Sequence, residues 1–127
     1  MPSSKPIDRL SDIVENSDRI ARHIAGMSSD DYMADEKTID AVERCLQRIS
    51  EAAQKLGNYL DALYPDTPWK SARGIGNILR HKYDEVADIL IWTAIEKELP
   101  RLRAAAMREI ERLRDTPPGA APQSADE

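Results

Sequence analysis

Apolar residues return every third or fourth position along most of this chain, the spacing of one face of an α-helix. Ile7, Leu10, Ile13, Val14, Ile20, Ile24 and Met27 follow it through the first stretch, and Gly26 offers a stop. Ser3 or Ser4 is placed to cap the start, with Pro6 tolerated in the first turn. Ser28, followed three residues later by Asp31, renews the capping pattern and predicts a single turn through Tyr32 and Met33. A longer pattern then runs from Glu36 to Tyr64 through Ile39, Val42, Leu46, Ile49, Ala53, Leu56, Leu60 and Leu63. As one helix it would reach ~40 Å at 1.5 Å per residue. Gly57 would weaken it by about 1 kcal/mol and marks a place for a bend. Pro65 ends it, because the residue before a proline is pushed out of the helical region.

Residues Tyr64 to Trp69 predict a connector, in which Thr67 and Pro68 suit the cap and first position of a third, shorter helix. That helix should turn Trp69, Ile75, Ile78 and Leu79 into the core and fray between His81 and Tyr83. A fourth pattern starts at Asp84 or Glu85 and continues through Val86, Ile89, Leu90, Trp92, Ile95 and Leu99. Pro100 interrupts it, and Leu102, Met107, Ile110 and Leu113 resume it, so a kink or restart is expected there. From Asp115 onward the chain holds three prolines and no apolar period, the composition of a disordered tail. No strand alternation occurs. The expectation is an all-α antiparallel bundle of about four main helices over residues 1–114, with a tail over 115–127.

Composition narrows this further. The 127 residues suffice for one domain with a core that needs no disulfide or metal. Cys45 is the single cysteine and sits beside Leu46 in a helical pattern, so it is read as a small core residue. No apolar run is long enough to cross a bilayer and the N-terminus has no signal-peptide core, so a cytoplasmic protein without membrane contact is expected. The net charge of −5 argues against nucleic-acid binding over the whole surface. Its distribution is uneven: six acids lie between Asp30 and Glu43, whereas Lys70 to Tyr83 holds four bases and no acid.

That basic stretch carries the candidate chemistry. On a helical wheel with Arg73 at zero, Asn77 falls near ~40°, His81 near ~80° and Arg80 near ~340°. Ile75, Ile78 and Leu79 gather on the opposite side. The polar arc suits phosphodiester chemistry. Histidine exchanges a proton near neutral pH, arginine matches phosphate oxygens with a permanent charge, and asparagine orients an imidazole or a substrate. RNA brings its own nucleophile, the 2′-hydroxyl, so cleavage without metal or cofactor needs little beyond a proton acceptor and a charge on the phosphorane. The plainer reading is a solvated surface, since a lone histidine on a helix is more often solvated than catalytic. No metal-ligand spacing or phosphate loop is present. Tyr83 would point ~200° from His81 in a continuous helix and returns to the same side only if the helix ends near His81.

In order along the chain, Ile24-Ala25-Gly26-Met27-Ser28, Ala34-Asp35, Ile49-Ser50-Glu51-Ala52-Ala53, Pro68-Trp69, Gly74-Ile75, Asn77-Ile78-Leu79, His81-x-Tyr83, Ile91-Trp92 and Leu99-Pro100 resemble the HepT-like toxins of the HEPN superfamily. The resemblance runs from about Ile7 to Leu113. It implies a homodimer that brings two His-x-Tyr motifs across a cleft, a metal-independent ribonuclease acting on RNA, and a nucleotidyltransferase antitoxin that silences it by transferring AMP to the motif tyrosine. Carried over by position, His81 is the catalytic histidine, Asn77 the polar residue four before it and Tyr83 the nucleotide acceptor. The family's arginine, just before the asparagine, is here Gly76. Two readings stay open. Arg80 or Arg73, each one turn from Gly76, substitutes for it, or the chain is an inactive HEPN-like binding module that still pairs with a nucleotidyltransferase.

Overall fold

A computed structural model of the chain describes residues 5–81 and 85–115, with only the backbone described at 85 and 86. Every regular element in that part is a helix: α1 (Pro6–His23), α2 (Ser29–Met33), α3 (Glu36–Leu56), α4 (Tyr59–Leu63), α5 (Trp69–Arg80), α6 (Glu85–Lys97) and α7 (Leu99–Asp115). The all-α expectation holds, with two one-turn helices added to five long ones. The expected tail falls almost wholly on residues 116–127, outside the described residues.

Local chemistry accounts for most boundaries. Pro6 occupies the first turn of α1, but the cap is Lys5, which makes no side-chain capping bond. The Ser3 and Ser4 positions lie outside the described residues. α1 ends at His23, and Gly26, at φ 78°, turns the chain toward α2. The capping box there forms as the spacing requires: Asp31 N–H donates to Ser28 Oγ at 3.1 Å and Ser28 N–H to Asp31 Oδ2 at 3.0 Å. Asp35 caps α3 by accepting from Thr38 N–H.

Two expectations are corrected. The long Glu36–Tyr64 pattern is not one bent helix. Gly57 takes φ 69°, a left-handed conformation that closes α3, and α4 starts afresh two residues later. Periodicity survived this break because Leu60 returns to the core from the new helix, where it is 1% exposed. At α5 the cap is Pro68 rather than Thr67, and the helix starts at Trp69, without a side-chain cap. Pro100 does mark a restart: it sits at the second position of α7, where its missing N–H costs nothing.

α3 lies between α1 and α5, α1 also packs on α7, and α6 covers α7 and α2. Leu10, Ile13, Ile20, Tyr32, Val42, Ile49, Leu60 and Ala106 form the driest part of the core, with Cys45 buried among them as a free thiol. Among the described residues one charged side chain is fully buried, Glu109 of α7. It accepts from Tyr59 and Tyr64 hydroxyls at 3.2 and 2.9 Å and from Arg112 at 2.7 and 2.6 Å. These bonds fasten α4 to α7. No described helix is long and apolar enough to cross a membrane.

Candidate active site

α5, packed on α3, carries the basic stretch. Its inner side carries Trp69, Ala72, Ile75 and Gly76, all buried. Its outer side carries Asn77, Arg80 and His81, all exposed. The helix ends at Arg80, and His81 caps it at φ −111° and ψ 21°, its N–H shared between the carbonyls of Asn77 and Ile78. The polar arc read from the wheel is therefore real over its last turn. Ile78 departs from expectation: it is 49% exposed rather than buried, because α3 covers the Ile75–Gly76 side and nothing described covers the next position round. Leu79 is half-buried.

α5 ends at Arg80, next to the His81 position where the Tyr83 reading needs the helix to break. Tyr83 itself lies outside the described residues, as does Lys82. α6 resumes at Glu85.

The two arginines have different surroundings. Arg73, half-buried, donates from Nη1 to Asp61 Oδ1 at 2.9 Å and to Gly57 O at 3.0 Å, and from Nη2 to Asp61 Oδ2 at 2.8 Å. The guanidinium beside it holds the Asp61 carboxyl below its usual range, and Asp61 in turn raises Arg73. Arg73 is thus a tie between α5 and α4. Arg80 is exposed, and among the described residues no carboxylate pairs with it. Its Nη1 would stand 3.8 Å from a Cβ at position 76.

Gly76 is held closely against α3. Its N–H donates to Ser50 Oγ at 3.2 Å, and that hydroxyl donates to Arg73 O at 3.0 Å. Gln54 Nε2 donates to the same carbonyl at 3.0 Å. A Cβ on Gly76 would fall 3.2 Å from Ser50 Oγ, closer than side chains ordinarily pack. Ser50, Gln54 and Asp61 are the residues that sequence reasoning did not attach to this site. Asp61 carried no signal, since its partner lies across a helix break. Ser50 carried one: a polar residue between Ile49 and Ala53 on the apolar side of α3.

Among the described residues no three His, Cys, Asp or Glu side chains converge as metal ligands would. The site thus offers an exposed imidazole, an amide one turn behind it, and a guanidinium with no carboxylate partner among the described residues.

Known proteins resemble this chain over most of its length. A protein of Methanocaldococcus jannaschii described as a candidate RNase is 31% identical over 113 residues, covering 89% of this chain and 90% of its own. The "Probable ribonuclease HepT" of Thermococcus cleftensis is 30% identical over 96 residues, or 76% and 87% of the two chains. A second candidate RNase of M. jannaschii is 29% identical over 94 residues, or 74% and 86%. No solved structure matches the chain. The family model "Ribonuclease HepT-like" matches residues 13–109, which span α1 through most of α7 and include all of α5. The chain belongs to the HepT-like ribonuclease family.

Proposed function

We propose that this protein is a ribonuclease that cleaves RNA without a metal ion, as a homodimer, and acts as the toxin of a toxin–antitoxin pair. The observation that carries the reading is His81, exposed at the end of α5 with Asn77 one turn behind it, in a chain of the HepT-like family. His81 takes the proton of the ribose 2′-hydroxyl, whose oxygen bonds to phosphorus. The P–O5′ bond breaks, leaving a 2′,3′-cyclic phosphate. The departing 5′ oxygen needs a proton, and a protonated histidine from the second copy is suited to give it. Asn77 holds imidazole or phosphate in line. The antitoxin is a nucleotidyltransferase that transfers AMP from ATP to the Tyr83 hydroxyl, releasing pyrophosphate. Nucleotide on Tyr83, two residues from His81, would obstruct the proton acceptor and repel the RNA phosphate.

The test is induction of the protein alone in a bacterium. Growth should arrest and RNA should be cut, His81→Ala should relieve both, and co-expression with the antitoxin should add the mass of AMP to the chain. Harmless wild-type protein with intact RNA would sink the enzyme reading. A second reading is favoured by Gly76 and the Ser50 hydroxyl packed on it: an inactive helical module that binds the nucleotidyltransferase. It predicts a stable complex with that partner and no growth defect.

A further inference from the structure

A phosphorane in a metal-free cut carries an extra negative charge, and a fixed cation beside it is worth far more than one free in solution. α5 carries two arginines, one before the Asn77–His81 turn and one within it, and their surroundings differ. Arg73 spends three N–H groups on Asp61 and Gly57, on α4 and the segment before it. To reach a phosphate it would have to abandon a bidentate carboxylate. At position 76 a Cβ would meet Ser50 Oγ at 3.2 Å, so a side chain there would require that hydroxyl to give way. Arg80 is one turn on from Gly76. Side chains on a helix tilt toward its N-terminus, so residue i+4 covers the surface beside residue i. Arg80 does this: its Nη1 stands 3.8 Å from the point where a residue-76 side chain would begin. It is exposed and unpaired among the described residues, and Asn77 and His81 stand beside it at the end of α5.

We infer that Arg80 is the residue that contacts the scissile phosphate of RNA and neutralises its transition-state charge, whereas Arg73 holds α5 to α4 and does not touch substrate. The absent side chain at Gly76 leaves the Arg80 guanidinium room to lie back along the helix toward Asn77. This inference rests on the ribonuclease reading.

The test uses the purified full chain with a single-stranded RNA in EDTA, comparing wild type with Arg80→Ala, Arg80→Lys, and Lys70→Ala as a control for general charge loss. Arg80→Ala should cut roughly 10²–10³-fold more slowly, and Arg80→Lys should recover part of that, keeping the charge without the fork. Lys70→Ala should remain within a few-fold of wild type. Binding of the RNA to His81→Ala, with and without Arg80→Ala, provides a readout that a merely structural role would not move. Losing one phosphate contact should reduce the slope of log affinity against log salt by about 0.7. Wild-type activity retained in Arg80→Ala, or an unchanged salt slope, overturns the assignment and leaves the ribonuclease reading standing. A wild-type chain that cuts no RNA removes both.

Discussion

Gly74 is exposed in α5, and a Cβ built on it meets nothing within 4 Å. Gly74→Ala should therefore stabilise the fold by about 0.5–1 kcal/mol, the usual gain from replacing glycine inside an exposed helix. Gly76→Ala should gain little or lose, because its methyl forces the Ser50 hydroxyl away from Arg73 O. In a Ser50→Ala background the nearest remaining contacts are ordinary ones at 3.8 Å, to Arg80 Nη1 and the Cβ of residue 50, and the gain should return. Urea unfolding of the four chains measures this, and simple additivity would refute the contact. Titration gives a second check. Burial, then Glu109 beside them, raises the Tyr59 and Tyr64 hydroxyls, and burial likewise raises Tyr32. The folded chain keeps these protons when the unfolded chain, with tyrosines near 10, loses them. Stability should fall as pH rises above about 10. Burial acts against the Glu109 charge, but Arg112 and the two tyrosines outweigh it and its carboxyl is lowered. Its contribution is present above about pH 4.5 and fades as pH falls through its lower folded value. Melting temperatures across both limbs test the two signs. Tyr59→Phe should soften the alkaline fall by removing one titrating group.

Helix ends decided where periodicity succeeded and where it failed. The capping box at Ser28 and the restart around Pro100 were legible because each rests on a side chain or ring adjacent in sequence. The single helix expected over Glu36–Tyr64 was wrong because an apolar spacing continues across a one-residue left-handed turn that only φ reveals. Ile78 was expected inside because a wheel knows which residues share an arc and not which neighbour covers it. The candidate site was legible as residue types and as the exposed turn Asn77–His81. What separates Arg73 from Arg80 was not, since it depends on Asp61 across the break. That tie predicts a coupling between α4 and α5. Arg73→Ala and Asp61→Ala should each lower stability, and the double variant should lose less than their sum, by about 0.5–1 kcal/mol for a partly exposed bidentate pair. A sum without coupling would mean that the pair does not bind the helices together. Gly57→Ala should cost about 1 kcal/mol, because its φ of 69° disfavours any Cβ.

Helices α5 and α6 flank the turn that carries His81, and they bear three of the largest exposed apolar side chains: Ile78 at 49%, Ile89 at 54% and Leu90 at 62%. Among described residues whose other large apolar side chains are mostly buried, side chains so exposed offer apolar surface to a partner. The dimer proposed above gives it an occupant, a second copy of the same chain. It also fits the chemistry, since in-line attack sets the 2′ and 5′ oxygens on opposite sides of phosphorus, within easier reach of two imidazoles than of one. A two-fold interface on this face would set two His81 side chains near each other, with Arg80 of each copy beside them. Leu90→Glu should then yield monomers in sedimentation, because a charge in a two-fold interface is buried twice. Helical content should be unchanged, since Leu90 is already exposed in the single chain. Cleavage should fall by more than tenfold even though Asn77, Arg80 and His81 are untouched, whereas Met107→Glu, 37% exposed on α7, should leave assembly and cleavage as they are. A Leu90→Glu chain that remains dimeric and active would place the interface elsewhere. One that is monomeric and still active would show that a single His81 suffices for both proton transfers.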